Sequence, residues 1–532
     1  MPVASSSPPL FTRTLQLGAL LNVGQKLVSF ALNQALVRWT SPEVFGMASV
    51  QLELLLSTML FLSREGIRLA LLREQLNTRA QVQRFVNLSW LPSAILCLIS
   101  VGLAVWGAVQ QTPSSAVSRV SFLYCVGAVL EAAGEPWVNM FQNQAELVPK
   151  MKAESVGVLV KSAVTFLCVA FLGLEVVGFG IAQIAYGLVY LLVLISHTTT
   201  IQVGRKNCVA SFKEFLPRFV SAKDDDEPEQ GTVFGRRAMS IAFSAFGSSV
   251  LKHFLTEGDK IFLSLTQSHY DQGIYALANN YASLIVRVLF LPLEDSSRVA
   301  FSKLSQQITT QRDTRHSREA LHQSRQLFAR LLRFVGLIGM VFPLFGPSYV
   351  KLAVRYAFNT KWRGTEIEQT LVAFCFYIFV LGINGISEAF VHVVTSAGGF
   401  GRINTGLVVS FLIYAVFSTL LVPRVGTCGV VYAGTFAMIA RIVSSILFLQ
   451  RFVGISIKTD LASLIPNMTQ VVTVAVSTLT CYVSSVRYEL SEKQHRNAME
   501  HFAAGATIFL TLVIFHRNSL KTSLKLETGG VD

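Results

Sequence analysis

Residues Glu43 to Ala70 read EVFGMASVQLELLLSTMLFLSREGIRLA. From 43 to 63 the run is apolar apart from Glu43 at its start and Glu53 within it. It is long enough to cross a hydrocarbon core, which takes about 20 apolar residues. Its end changes character: Arg64-Glu65-Gly66-Ile67-Arg68 sets two cations and an acid where the span meets water. A similar ending returns at 290–300, FLPLEDSSRVA, where Phe, Leu, Glu, Arg and Ala recur in order with one insertion. A second pair of matches, Gly134-Glu135-Pro136-Trp137 with Ser387-Glu388-Ala389-Phe390, is separated by the same number of spans. Two matches at one offset indicate parallel repeats about an axis along the membrane normal.

Working outward from 43–63, windows of the same kind recur at 15–37, 85–107, 118–142, 154–173, 175–196, 239–264, 273–293, 328–346, 368–397, 403–423, 427–449, 461–485 and 498–516. The expectation is an all-α polytopic membrane protein of about fourteen transmembrane helices. Residues 1–196 form an N-terminal six-helix bundle and 239–449 a C-terminal one. The stretch 197–238 is a cytosolic linker, solvated around Asp224-Asp225-Asp226-Glu227, and 450–532 holds two extra helices and a cytosolic tail. Segment 64–84 is too charged to span and suits a helix lying at the interface. The second long polar connection is 294–327.

Composition agrees. The 532 residues are 52% hydrophobic and 14% charged, with a mean hydropathy of +0.51. Soluble domains carry about 25% charged residues, so a water-soluble enzyme is excluded. The net charge of +14 points to cytosolic loops rather than to nucleic acid. With fourteen spans, Lys and Arg are roughly threefold more numerous in the loops on the side holding both termini, which sets the N- and C-termini in the cytosol. The first apolar run is too long for a signal-peptide core and is expected to be retained. The seven cysteines lie scattered with no CxxC pair, so neither a disulfide framework nor a zinc site is expected.

Ionisable residues inside spans cost about 2.5–3.5 kcal/mol each on insertion scales. This chain has many, among them Lys26, Glu53, Glu131, Glu135, Lys161, Lys252, His253, Asp259, Lys260, Arg287, Glu388, His392 and Arg441. Any one of them can be explained by internal pairing or snorkelling. As a set they call for a hydrated cavity with excess cations, suited to an anionic headgroup such as a diphosphate. The candidate substrate-binding residues are Lys26, Arg64, Arg68, Lys260, Arg287 and Arg298. Supporting acids are Glu53, Glu65, Glu131, Glu135, Glu294 and Glu388. Arg287 follows Asn279-Asn280 by about two helical turns, a polar stripe on an apolar helix.

No Walker lysine loop and no His-Glu-x-x-His is present, so no catalytic residue, metal or cofactor is expected. Glu294-Asp295 reads better as a helix-end salt bridge to Arg298 than as a metal pair. The sequons at Asn87 and Asn467 lie at or inside spans and read as chance.

Several motifs resemble the Rft family of eukaryotic endoplasmic-reticulum membrane proteins. They are Ser41-Pro42-Glu43-Val44-Phe45-Gly46, Leu60 through Arg68, Leu255-Thr256-Glu257-Gly258-Asp259-Lys260, Gln272 through Asn280, and Pro292-Leu293-Glu294-Asp295-Ser296-Ser297-Arg298 followed by Phe301-Ser302-Lys303-Leu304. The resemblance runs through the first twelve spans. It departs at Asp295, where the family often has a second Glu. It implies the architecture of the multidrug, oligosaccharidyl-lipid and polysaccharide exporter superfamily. It also implies translocation of a dolichyl-diphosphate-linked oligosaccharide of five mannoses and two N-acetylglucosamines, from the cytosolic to the lumenal leaflet of the endoplasmic reticulum, for N-glycosylation. The implied partners are that glycolipid, membrane lipids and the N-glycan assembly enzymes. Two other readings stay open: a non-transporting accessory scaffold, and a small-molecule antiporter whose ion site is Glu53 with Glu131 or Glu135.

Overall fold

The structure is a computed structural model. It describes residues 28–72, 74, 76, 78–109, 116–144, 146, 148–198, 212–219, 234–310, 315–394, 400–452, 468–490 and 494–515. Every regular element among these is helical. The chain packs into two compact units, Met1–Gly273 and Ile274–Asp532.

The first unit contains α1 (Val28–Val37), α2 (Pro42–Leu71), α3 (Arg79–Ser89), α4 (Leu91–Val109), α5 (Ala116–Ala132), α6 (Glu135–Asn143), α7 (Val148–Ala170), α8 (Glu175–Ser196) and α9 (Arg236–Thr266). α10 (His269–Ile285) carries the boundary. The second unit continues with α11 (Leu291–Thr310), α12 (Arg315–Ala357), α13 (Ile367–Val394), α14 (Phe400–Val425), α15 (Thr427–Phe452), α16 (Met468–Leu490) and α17 (Gln494–Phe515).

Among the described residues nine helices are long and apolar enough to cross a membrane, by length and composition. The other five expected windows are helical where described. Residues 15–27 and 461–467 lie outside the described residues, 118–142 is broken between α5 and α6, and α9 and α17 carry more polar residues.

α2 starts at a sequence-encoded cap. The Ser41 hydroxyl accepts from the Val44 amide, and Pro42 sits in the first turn, where its missing N–H costs nothing. The helix then passes through a π turn at Met47–Leu52 and runs on to Leu71. Residues 64–71 therefore extend the span, and the expected interfacial helix over 64–84 is not formed. Gly66, Ile67 and Ala70 are buried there, and Arg64 and Arg68 find acids on neighbouring helices. The rest of that segment opens α3, which starts at a capping box between Thr78 and Gln81.

α9 lies against α2. A Cβ on Gly66 would stand 2.8 Å from the Ala242 carbonyl oxygen, so only glycine allows this approach. Further along the same contact, the His253 ring stacks on Phe61 at 4.6 Å and its Nε2 lies 2.9 Å from the Thr58 hydroxyl. α9 thus packs with the first unit, although the sequence reading opens the second bundle at 239.

Two expected loops are structured. Residues 294–310 continue the α10–α11 helix and α12 begins at Arg315, so most of 294–327 is helical. Within 197–238, Phe212–Phe219 is anchored at Phe215 while its other seven residues stay exposed. Phe215 is fully buried, lies parallel to Trp137 at 4.8 Å, and accepts from the Trp90 indole at 2.6 Å through its carbonyl. The sequon residue Asn87 holds the same segment: its amide donates to the Arg218 carbonyl at 2.7 Å and its oxygen accepts from the Arg218 N–H at 3.0 Å. Asn87 is buried, which accounts for reading the sequon as chance. The acidic run 224–227 lies outside the described residues.

In the second unit, the C-terminal pair attaches through His501. Its ring stacks on Tyr349 of α12 at 4.2 Å, its Nδ1 lies 2.8 Å from the Ser484 hydroxyl, and its Nε2 lies 3.0 Å from the Ser348 carbonyl.

Candidate functional site

In the first unit, Arg64 and Arg68 stand one above the other on α2, four residues apart. Glu131 and Glu135 are also four apart, but on two helices. Gly134 and Pro136 interrupt the α5–α6 run, and α6 restarts with Glu135 in its first turn, where helix N-termini favour negative charge. The result is a two-by-two ion cluster. Arg64 donates to Glu131 at 2.9 Å and lies 3.6 Å from Glu135. Arg68 grips Glu135 with both arms of its fork, Nε to Oε2 at 2.8 Å and a terminal nitrogen to Oε1 at 2.5 Å. The Glu135 side chain is fully buried and that of Arg68 is 14% exposed. Glu65, expected as a supporting acid, makes no ion pair or hydrogen bond among the described residues, and the acid that holds Arg68 is Glu135.

A second pair joins Glu53 of α2 to Lys161 of α7 at 2.6 Å. Lys260 pairs with Glu257 on its own helix at 2.7 Å and lies within electrostatic reach of Glu53. The acids of an antiporter site, Glu53 with Glu131 or Glu135, are therefore each held by a cation.

In the second unit, Glu294 and Arg298 form the expected salt bridge at 2.5 Å, but one turn apart inside the continuous α10–α11 helix rather than at a helix end. Gly385 lets this carboxylate in, since a Cβ there would stand 2.9 Å from Glu294 Oε2. Glu388 of α13 pairs with Arg441 of α15, at 2.5 Å and 2.7 Å. The two glutamates matched in the sequence repeat, Glu135 and Glu388, both hold an arginine, but on differently placed partners. The Glu388–Arg441 pair stands between two cavities. One, of about 170 Å³, is also lined by Glu294, Asn384 and Phe290. The other, of about 250 Å³, is lined by His392, Ser445, Leu447, Phe448 and Arg451.

Of the six candidate cations, Arg64, Arg68, Lys260 and Arg298 are thus internally paired. Arg287 lies in a π turn (Val286–Phe290), is exposed, and makes no ion pair or hydrogen bond among the described residues. Lys26 lies outside them. The sequence reading noted Lys161, Arg441 and His253 as charges within spans but did not place them at a site. Their only signal was being solitary ionisable groups in apolar runs. Asn384, buried with an unpartnered side-chain oxygen, gave no signal at all. No group of three or more metal-ligating side chains occurs among the described residues.

A family model described as Rft protein matches residues 12–525. A relative from Xenopus tropicalis, named Man(5)GlcNAc(2)-PP-dolichol translocation protein RFT1, is 29% identical over 496 residues, covering 89% of this chain and 88% of its own. The Saccharomyces cerevisiae protein of the same name is 26% identical over 506 residues, covering 84% of each. Among solved structures, the lipid II flippase MurJ in an inward closed conformation superposes with a TM-score of 0.61 at 13% identity, over 94% of this chain and 99% of that one. An inward-facing multidrug MATE transporter gives 0.54 at 12% identity, over 82% and 96%.

Proposed function

The chain belongs to the Rft protein family, and from that membership we propose that it moves the dolichyl-diphosphate-linked five-mannose, two-N-acetylglucosamine oligosaccharide from the cytosolic to the lumenal leaflet of the endoplasmic reticulum. The observation that carries this reading is full-length kinship with relatives named for that translocation. The fold shared with a lipid flippase supports it. The chain acts as a translocator rather than an enzyme, with both termini in the cytosol and the glycolipid and membrane lipids as partners. A diphosphate carrying seven sugars cannot cross hydrocarbon unaided, because each unsatisfied polar group costs several kcal/mol. Polar and charged residues held inside apolar helices lower that barrier by replacing water. Of the candidate cations within the described residues, Arg287, exposed and unpaired among them, is the one left to meet the headgroup.

A second reading, a non-transporting accessory protein of N-glycosylation, is favoured by one observation: Arg64, Arg68, Lys260 and Arg298 are already neutralised by neighbouring acids. Reconstitution of the purified chain into liposomes holding the labelled heptasaccharide glycolipid separates the two. Flipping several-fold faster than in protein-free liposomes is expected. A rate equal to the control, from protein that restores glycosylation in cells lacking it, selects the accessory reading.

A further inference from the structure

We infer that the 250 Å³ cavity on α13 and α15 is a binding site for a phosphate headgroup carried on an apolar chain. The inference starts from charge. Arg441 and Glu388 neutralise one another at 2.5–2.7 Å. Arg451, in the last turn of α15, lines the same cavity and makes no ion pair or hydrogen bond among the described residues. The lining therefore holds two guanidiniums against one carboxylate, an excess of at least one positive charge. The Ser445 hydroxyl also lines it and has no partner among the described residues, which leaves it free to donate to an anion. A guanidinium fork matches phosphate oxygens in a way a point charge does not. The volume is several times the about 30 Å³ that a water occupies in the liquid, enough for a phosphate or diphosphate group.

The apolar part follows from the same helix. Leu447 forms a wall of the cavity and is also the last member of an exposed stripe, Phe436, Ile439, Val443 and Leu447. Steps of three and four residues keep this stripe on one face of α15. An anion bound at Arg451 thus has an uncovered hydrocarbon track leading away from it. A free inorganic anion has no use for that track.

This site does not depend on the translocation reading, because its test measures binding without transport. The purified full-length chain in detergent is titrated with a fluorescent short-chain polyprenyl diphosphate, the matching polyprenol, phosphatidic acid and inorganic pyrophosphate. The polyprenyl diphosphate is expected to bind at least tenfold more tightly than either the polyprenol or inorganic pyrophosphate. Arg451→Ala should weaken it tenfold or more, and Arg451→Lys by an intermediate factor. Arg451 is exposed, so melting of the variants should match the parent and separate lost binding from lost folding. Competition by phosphatidic acid at equal affinity upholds the site and assigns it to membrane phospholipid, whereas failure to compete assigns it to the isoprenoid diphosphate. Unchanged binding of all three phosphate probes by Arg451→Ala overturns the inference. So does inorganic pyrophosphate binding as tightly as its lipid form.

Discussion

Replacing Glu135 by alanine removes the buried acid of the two-by-two cluster and leaves Arg68 without a partner. Arg64 keeps Glu131 at 2.9 Å, so the damage concentrates on one guanidinium whose side chain is 14% exposed. Removing one partner of a buried pair costs about 3–5 kcal/mol, because the other charge stays desolvated and uncompensated. At about 1.36 kcal/mol per decade, the folded-to-unfolded ratio falls by a factor on the order of 10²–10³. The reverse change, Arg68→Ala, strands Glu135, but Arg64 stands 3.6 Å away and compensates in part, which places the cost near the lower end, about 3 kcal/mol. Arg68→Lys forfeits one of two parallel hydrogen bonds and keeps the charge, at about 1.5–3 kcal/mol. The expected order of destabilisation is Glu135→Ala, then Arg68→Ala, then Arg68→Lys. Denaturant unfolding of the purified protein in detergent, completed as a double-mutant cycle between 68 and 135, measures it. A coupling energy below about 0.5 kcal/mol, or an Arg68→Ala protein as stable as the parent, refutes the structural role and returns Arg68 to the headgroup-binding part that its sequence position suggested.

Four further outcomes follow. Glu53→Gln should cost about 1–3 kcal/mol in the same assay, because it leaves the Lys161 ammonium, 2.6 Å away inside the span, with a neutral partner in place of a charged one. Phe215→Ala deletes a fully buried ring worth about 3–5 kcal/mol locally, so limited proteolysis should cut within 197–238 faster than in the parent while the helices stay protected. Gly66→Leu forces a side chain where 2.8 Å is available; overpacking by about 1–3 kcal/mol should lower the yield of folded protein, and Leu60→Met serves as the volume-conserving control. Glu388→Gln weakens the hold on Arg441 by about 2 kcal/mol, and a thermal melt unchanged from the parent argues against Arg441 being held by this pair.

The sequence by itself determined the class of molecule. Length, apolar windows and the scarcity of charge leave only a helical membrane protein, since a backbone in hydrocarbon must satisfy its own hydrogen bonds. The Glu294–Arg298 bridge was legible too, because its partners lie four residues apart on one helix, whereas the Ser41-Pro42 cap of α2 and the break at Gly134 and Pro136 inside the 118–142 window came out only in the structure. Only the tertiary structure decided the pairings. That Arg64 and Arg68 meet Glu131 and Glu135, that Glu53 meets Lys161, and that Glu388 meets Arg441 depends on which helices lie side by side, and no periodicity within one helix carries that information. Residues 64–71 read as an interfacial helix for the same reason: their charges looked unsatisfied until a neighbour supplied the acids. Phe212–Phe219 read as linker because a short segment with one buried ring has no periodic signature, and its order comes from Trp90, Trp137 and Asn87, more than 70 positions away in the chain. Burial of charge is a property of the assembled bundle. A sequence shows which residues will need partners, and the packing of helices chooses them.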